Sequence, residues 1–135
     1  MVSAICTVPP TNQSELCYNR PMSSTLTGHK AEVAAKVYLE MRGFKILEQN
    51  WRRPRCEIDI IADKKGVKHF VEVKYRYDDQ QGGGLEAITP SKLRQMRRGA
   101  EMWVEENEYN GEYVLSAIEI AGRDFAVMSF IENVL

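Results

Sequence analysis

The stretch from Cys56 to Tyr77 constrains the fold more than any other part of the chain. Cys56–Ala62 alternates, with Ile58, Ile60 and Ala62 to one side and Glu57, Asp59 and Ile61 to the other. Val67–Tyr77 alternates again, with Val71, Val73 and Tyr75 opposed to Phe70, Glu72, Lys74 and Arg76. A period of two belongs to β-strands. Asp63-Lys64-Lys65-Gly66 between the runs has turn chemistry, so the spacing predicts a β-hairpin.

The flanks supply two helices and more strands. Ala31, Ala34, Ala35, Tyr38 and Met41 recur at helical spacing, with Thr27 as a candidate N-cap and Gly43 suited to the C-terminal cap. Phe44–Gln49 reads as a short strand. Thr89-Pro90 is a strong helix start, followed by a stripe of Leu93, Met96, Ala100, Trp103 and Val104. Tyr113–Ala121 and Phe125–Ile131 read as closing strands around Gly122-Arg123-Asp124. The expected class is α/β, a mixed β-sheet flanked by helices in the order α-β-β-β-α-β-β. Residues 1–27 are rich in Ser, Thr, Pro and Asn without a sustained apolar period and read as a tail, leaving 28–135 as one domain. The Gln80–Gly84 run reads as a loop.

No apolar run approaches the roughly 20 residues of a membrane span, and Met1–Pro10 lacks the basic start of a signal peptide. Cys6, Cys17 and Cys56 are odd in number and without zinc spacing, which suits free thiols in the cytoplasm. Net charge is −1, but residues 1–100 hold 17 Lys/Arg against 11 Asp/Glu, and residues 101–135 one against eight. A basic working half beside an acidic remainder is compatible with a nucleic-acid partner.

If Asp63–Gly66 is a four-residue loop, Ala62 faces Val67, Asp59 faces Phe70 and Glu57 faces Glu72. Asp59 and Glu72 are then diagonal neighbours roughly 7–8 Å apart, near enough to share an ion, and Lys74 projects from the same face. Carboxylates crowded on a half-buried face repel and are costly to desolvate. Mg²⁺ or Mn²⁺ removes both objections, since each takes one or two carboxylates plus waters and phosphate oxygens. A neighbouring Lys can orient the attacking water or steady charge on the phosphate. The plain alternative is a solvated outer face with harmlessly paired charges. Glu32, at the margin of the first helix's apolar stripe, either points to this sheet edge or pairs with Lys36.

Two basic groups accompany the hairpin. Lys92, Arg94, Arg97 and Arg98 open the second long helix while Glu101, Glu105 and Glu106 close it, the reverse of what the macrodipole favours. A local rule broken in this way points to function, and phosphate contact is a natural gain. Arg52, Arg53 and Arg55 flank Trp51, a grouping that suits a phosphate backbone and a stacked base; Trp51 fits equally a core position. His29 and His69 read as surface or partner-satisfied histidines.

From Gly28 onward the chain resembles the bacterial YraN-type family of predicted endonucleases, within the restriction-endonuclease-like, PD-(D/E)xK superfamily, which is similar to archaeal Holliday-junction resolvases. The matching stretches are the Glu32 helix, Gly43–Leu47 leading to Asn50 and Arg52, Glu57-Ile58-Asp59, Phe70–Lys74 with Arg76, Glu86-Ala87-Ile88, and Lys92. The resemblance implies that Asp59 and Glu72 ligate the metal, that Lys74 is the catalytic lysine, and that Glu32 is the helix carboxylate of the site. Cys56 stands where the family usually has Gly, and Ile58 replaces the Pro of the motif's name. The expectation is a Mg²⁺- or Mn²⁺-dependent endonuclease acting on DNA, branched or flapped DNA included. Glu57 and Arg76 would support the site, and Arg52, Arg53, Lys92, Arg97 and Arg98 would track the backbone. A junction resolvase needs two sites, so a homodimer is compatible with this reading. A non-catalytic nucleic-acid-binding module of the same fold is the alternative, and a protein scaffold the third reading.

Overall fold

The computed structural model describes residues 23–77 and 88–134. By its internal contacts the chain divides into residues 1–30 and residues 31–135, and the fold concerns the second unit. The element order is α1 (Ser23–Met41), β1 (Lys45–Arg53), β2 (Cys56–Lys64), β3 (Val67–Arg76), α2 (Pro90–Glu106), β4 (Tyr113–Ala121) and β5 (Ala126–Ile131). This is the expected order. Residues 1–22 of the expected tail, Cys6 and Cys17 within it, and the Gln80–Gly84 loop lie outside the described residues.

The five strands form one sheet in sequence order, antiparallel at every seam except β3–β4, which is parallel. A parallel pair cannot be joined by a tight turn and needs a crossover; α2 lies in that crossover. One face buries Ile60, Ala62, Val71, Ile118 and Ile120 against Ala31, Ala35 and Leu39 of α1. The other buries Trp51, Ile58, Ile61, Phe70 and Leu115 against Met96, Ala100 and Trp103 of α2. Trp51 is therefore a core residue.

Both helices end as their sequences suggest, with one correction. Gly43 at φ 92° closes α1, with Gly43 N–H donating to the Glu40 carbonyl and Phe44 N–H to that of Leu39, the paired bonds of a Schellman cap. Thr89 Oγ1 accepts from the Lys92 N–H and Pro90 opens α2. Thr27, expected as the N-cap of α1, lies inside the helix instead, which begins at Ser23. Ser23, Ser24, Thr25 and Thr27 offer the same capping chemistry within one turn, so side-chain type alone does not choose among them.

The hairpin differs from expectation in register. Its turn is only Lys65-Gly66, at φ 55° and 84°, and Ala62 pairs with His69, not with Val67. Asp63 and Lys64 belong to the strand. Asp63 Oδ1 accepts from Gly66 N–H and Oδ2 binds Lys68 Nζ at 2.7 Å. Positive φ at both central residues is the tight hairpin turn whose twist matches the strands. The slip is by two residues, so it leaves the β3 side chains on their expected faces.

A second difference lies in β2 itself. Ile60 and Ala62 pack on the α1 side, but Ile58 and Cys56 pack with Ile61 on the α2 side. The strict alternation breaks at Asp59. The β1–β2 pairs Gln49↔Ile60 and Trp51↔Ile58 keep one register, the shift of that seam lying between Ile46 and Glu48, and Asn50 between the two pairs has φ 53°. The irregularity at Asn50 and Asp59 turns the remainder of both strands over.

Candidate active site

The β2–β3 ladder runs from Lys64↔Val67 to Ile60↔Val71 and stops. Both strands continue beyond it, β2 paired with β1 as far as Cys56 and β3 paired with β4 as far as Arg76. The sheet thus forks, and Asp59 and Glu72 are the first residues past the fork. Asp59 Oδ2 accepts from the Val73 N–H at 2.8 Å. Its carboxylate takes the bond that a ladder carbonyl would otherwise make.

The electrostatics at the fork are unfavourable for two bare carboxylates. Burial raises the Asp59 carboxyl to about 7, with further upward pressure from Glu72 and then Glu32, against the Val73 N–H and Lys92. Burial likewise raises Glu72, opposed chiefly by Lys92 and then Lys74, while Glu57 adds to the rise. Glu72 is 8% exposed, and its Oε1 lies 3.3 Å from Lys92 Nζ. A narrow pocket lined by Glu57, Ile58, Phe70, Val71, Glu72 and Met96 adjoins the pair.

The structure therefore brings Asp59, Glu72 and Lys92 together, with Glu32, Lys74 and Glu57 close enough to act on the two carboxyls. Glu32 is near Asp59 electrostatically, which favours the first of its two readings. Lys92 was expected along a nucleic-acid backbone; it stands inside the site, ion-paired to Glu72. Glu57 was expected directly across from Glu72, but the two-residue register difference and the turnover at Asp59 move it, and its carboxylate pairs with Arg52 at 3.3 Å.

The remaining basic residues divide. Arg53 makes a two-pronged bond to Glu106, through Nε at 2.9 Å and Nη2 at 2.6 Å, with its guanidinium 4.5 Å from the Trp51 ring centre. Arg76 binds Glu119 at 2.7 Å. Arg97 and Arg98 are exposed, and as consecutive helical residues they point about 100° apart.

Two residues were missed. Glu119 is 4% exposed, sits beside Lys74 in the parallel register, and is held by Arg76 and Ser129. A lone carboxylate inside the apolar run of β4 was its signal. Asn50, across from Asp59 with left-handed backbone, left no signal. His69 is buried, with Nδ1 3.0 Å from Ser116 Oγ, whose own proton goes to the Glu132 carbonyl; it is a partner-satisfied histidine, as expected. Cys56 is buried against Met102 Sδ.

Among the described residues no three His, Cys, Asp or Glu side chains stand close enough to cage a metal alone. The donor set still fits a hard divalent cation. Asp59 retains Oδ1 and Glu72 retains Oε2, and Mg²⁺ characteristically uses one or two carboxylates and completes its shell with water and substrate oxygens.

The family model described as "Uncharacterised protein family UPF0102" matches residues 31–128. The chain belongs to the UPF0102 family. This is the YraN-type family whose motifs the sequence carries. A UPF0102 protein of Shewanella loihica is 36% identical over 97 residues, 72% of this chain and 85% of the relative. One from Sulfurihydrogenibium sp. is 41% identical over 91 residues, 67% and 79% of the two chains. A Neisseria meningitidis relative is 38% identical over 96 residues, 70% and 84%. The UPF0102 match contains Glu32, Asp59, Glu72, Lys74, Lys92 and Glu119. No helix among the described residues is long and apolar enough to cross a membrane.

Proposed function

We propose that this UPF0102 protein is a metal-dependent endonuclease that hydrolyses DNA phosphodiesters, branched or flapped DNA included, at the fork between β2 and β3. The observation that carries the reading is the pair of buried carboxyls at the fork, both raised by burial. A structural surface gains nothing from such crowding, whereas a cation site needs it. Asp59 and Glu72 would hold Mg²⁺ or Mn²⁺. The ion would supply a positive charge for the phosphate oxygens and a polarised water at neutral pH.

The chain's own residues account for the rest. The Val73 N–H fixes the Asp59 carboxylate by one oxygen and leaves the other free. Lys74 projects beyond Glu72 on the α2 side and offers positive charge where negative charge grows on the phosphate. Arg76 and Glu119 anchor the strand beyond it. Glu32, from α1, acts on Asp59 as a nearby negative charge. Hydrolysis joins the water oxygen to phosphorus and breaks one ester bond. One water proton passes to the departing alcohol, and a phosphate monoester remains.

Lys92 on Glu72 favours one specific form of the binding-module reading, in which the internal ammonium holds the cation's place and no ion is needed. A single experiment separates the two. Single-stranded, duplex, flap and four-way DNA are incubated with Mg²⁺ or Mn²⁺ and wild-type, Asp59→Ala or Lys74→Ala protein. Cleavage by the wild type, lost by at least about 100-fold in both variants with DNA affinity retained, is expected. DNA binding with no cleavage of any substrate by the wild type would establish the binding module.

A further inference from the structure

Pro54 and Arg55 alone join β1 to β2, since Arg53 pairs with Cys56. Arg55 has φ 70°. A turn with Pro at its second position and positive φ at its third is one in which Gly or Asn is the suited third residue. A bulky side chain there is held against its steric preference. The turn's hand also runs against the strand twist that two-residue hairpins favour. Lys65, Glu108 and Phe125 share a positive φ, so what sets Arg55 apart is the groove it lines.

Arg55 is also uncommitted. Arg52 pairs with Glu57 and Arg53 with Glu106, while Arg55 has no ion-pair partner among the described residues. An open groove of ≈ 250 Å³ is lined by Arg52, Arg53, Arg55, Cys56, Glu57 and Gln95. Arg98, exposed and without an ion-pair partner among the described residues, lies three residues beyond Gln95 and extends that edge of α2. Glu57 lines both this groove and the narrow pocket at Glu72. Arg52, paired with Glu57, sets a cation beside that carboxylate on the way from groove to fork.

We propose that this groove is a phosphate-backbone subsite of the nucleic acid, with Arg55 as its free cation. It would seat phosphodiesters flanking the one that faces Asp59 and Glu72. The inference rests on the nuclease reading and adds the path of the strand. Trp51 is 5% exposed and covered by Arg53, so this part of the groove has no open aromatic platform for a base. The subsite therefore grips phosphate without regard to sequence.

The test is fluorescence anisotropy of the full chain with labelled duplexes of unrelated sequence, in EDTA so that none is cut, over 50–200 mM salt. Arg55→Gly and Arg55→Asn both suit the left-handed backbone, so the turn is kept; thermal melting verifies folding. Each variant should bind about 5–10-fold more weakly at low salt, equally for every sequence, with a salt slope shallower by about 1. Unchanged affinity and slope in both, with a wild type that binds, would remove the subsite and leave the nuclease reading standing. A wild type that binds none of single-stranded, duplex, flap or four-way DNA at any salt would remove both.

Discussion

At the scale of single residues, Asp59 concentrates the site's cost. Its carboxyl sits at about 7 in the folded protein, against about 3.9 in an unfolded chain. Between those values the native state keeps a proton that the unfolded state has released. Stability from this group therefore declines as pH rises from about 4 to about 7, and remains low above. Asp59→Asn keeps an oxygen for the Val73 N–H and removes the charge. In EDTA at pH 8 the variant should be more stable than wild type by roughly 2–4 kcal/mol, and near pH 4 the two should coincide. Identical melting at pH 8 would show that the carboxylate is not confined as described. The roles of Asp59, Glu72 and Lys74 were suggested by alternation together with the family resemblance. The ion pair of Lys92 with Glu72 was not, because it joins residues 20 apart through a packing angle between α2 and the sheet that no local pattern encodes.

At the scale of elements, α2 links capping to the site. Its first turn carries no acid and its last no base, yet both mismatched ends have tertiary partners, Glu72 for Lys92 and Arg53 for Glu106. Part of the broken helix rule is thus answered inside the protein. Thr89 fixes the backbone of Lys92 through its hydroxyl. Thr89→Ala should cost about 1 kcal/mol in urea denaturation, and Thr89→Ser should recover most of it; an Ala variant as stable as wild type would show the cap to be idle. Element identity and order were legible because periods of two and of 3.6 are long-lived patterns. The fork was not. The exchange of faces at Asp59 depends on Asn50 in the neighbouring strand, and a single run of residues does not report on its neighbour's backbone. The hairpin register was similarly open, since Asp63 serves a four-residue loop and a strand end equally well.

At the scale of the whole molecule, the charge division along the chain is not a division in space. Glu106 and Glu119, from the acidic segment after residue 100, pair with Arg53 and Arg76 of the basic part. Of the cations left for a polyanion among the described residues, Arg55 lines the groove and Arg98 lies at its edge. Contact with three or four phosphates implies that duplex affinity falls roughly 100-fold between 50 and 200 mM salt. A titration showing a loss of several thousandfold would mean that the internal ion pairs open on binding.

The fork also has a mechanical side. Five residue pairs, from Ile60↔Val71 to Lys64↔Val67, are the whole ladder between β2 and β3. They join a leaf of two strands to a leaf of three. Asp59 rides on one leaf and Glu72 on the other, and the bond from the Val73 N–H to Asp59 rivets the two leaves just past the seam. The spacing of the two carboxyls is therefore set by that rivet and by the five pairs behind it, not by either strand alone.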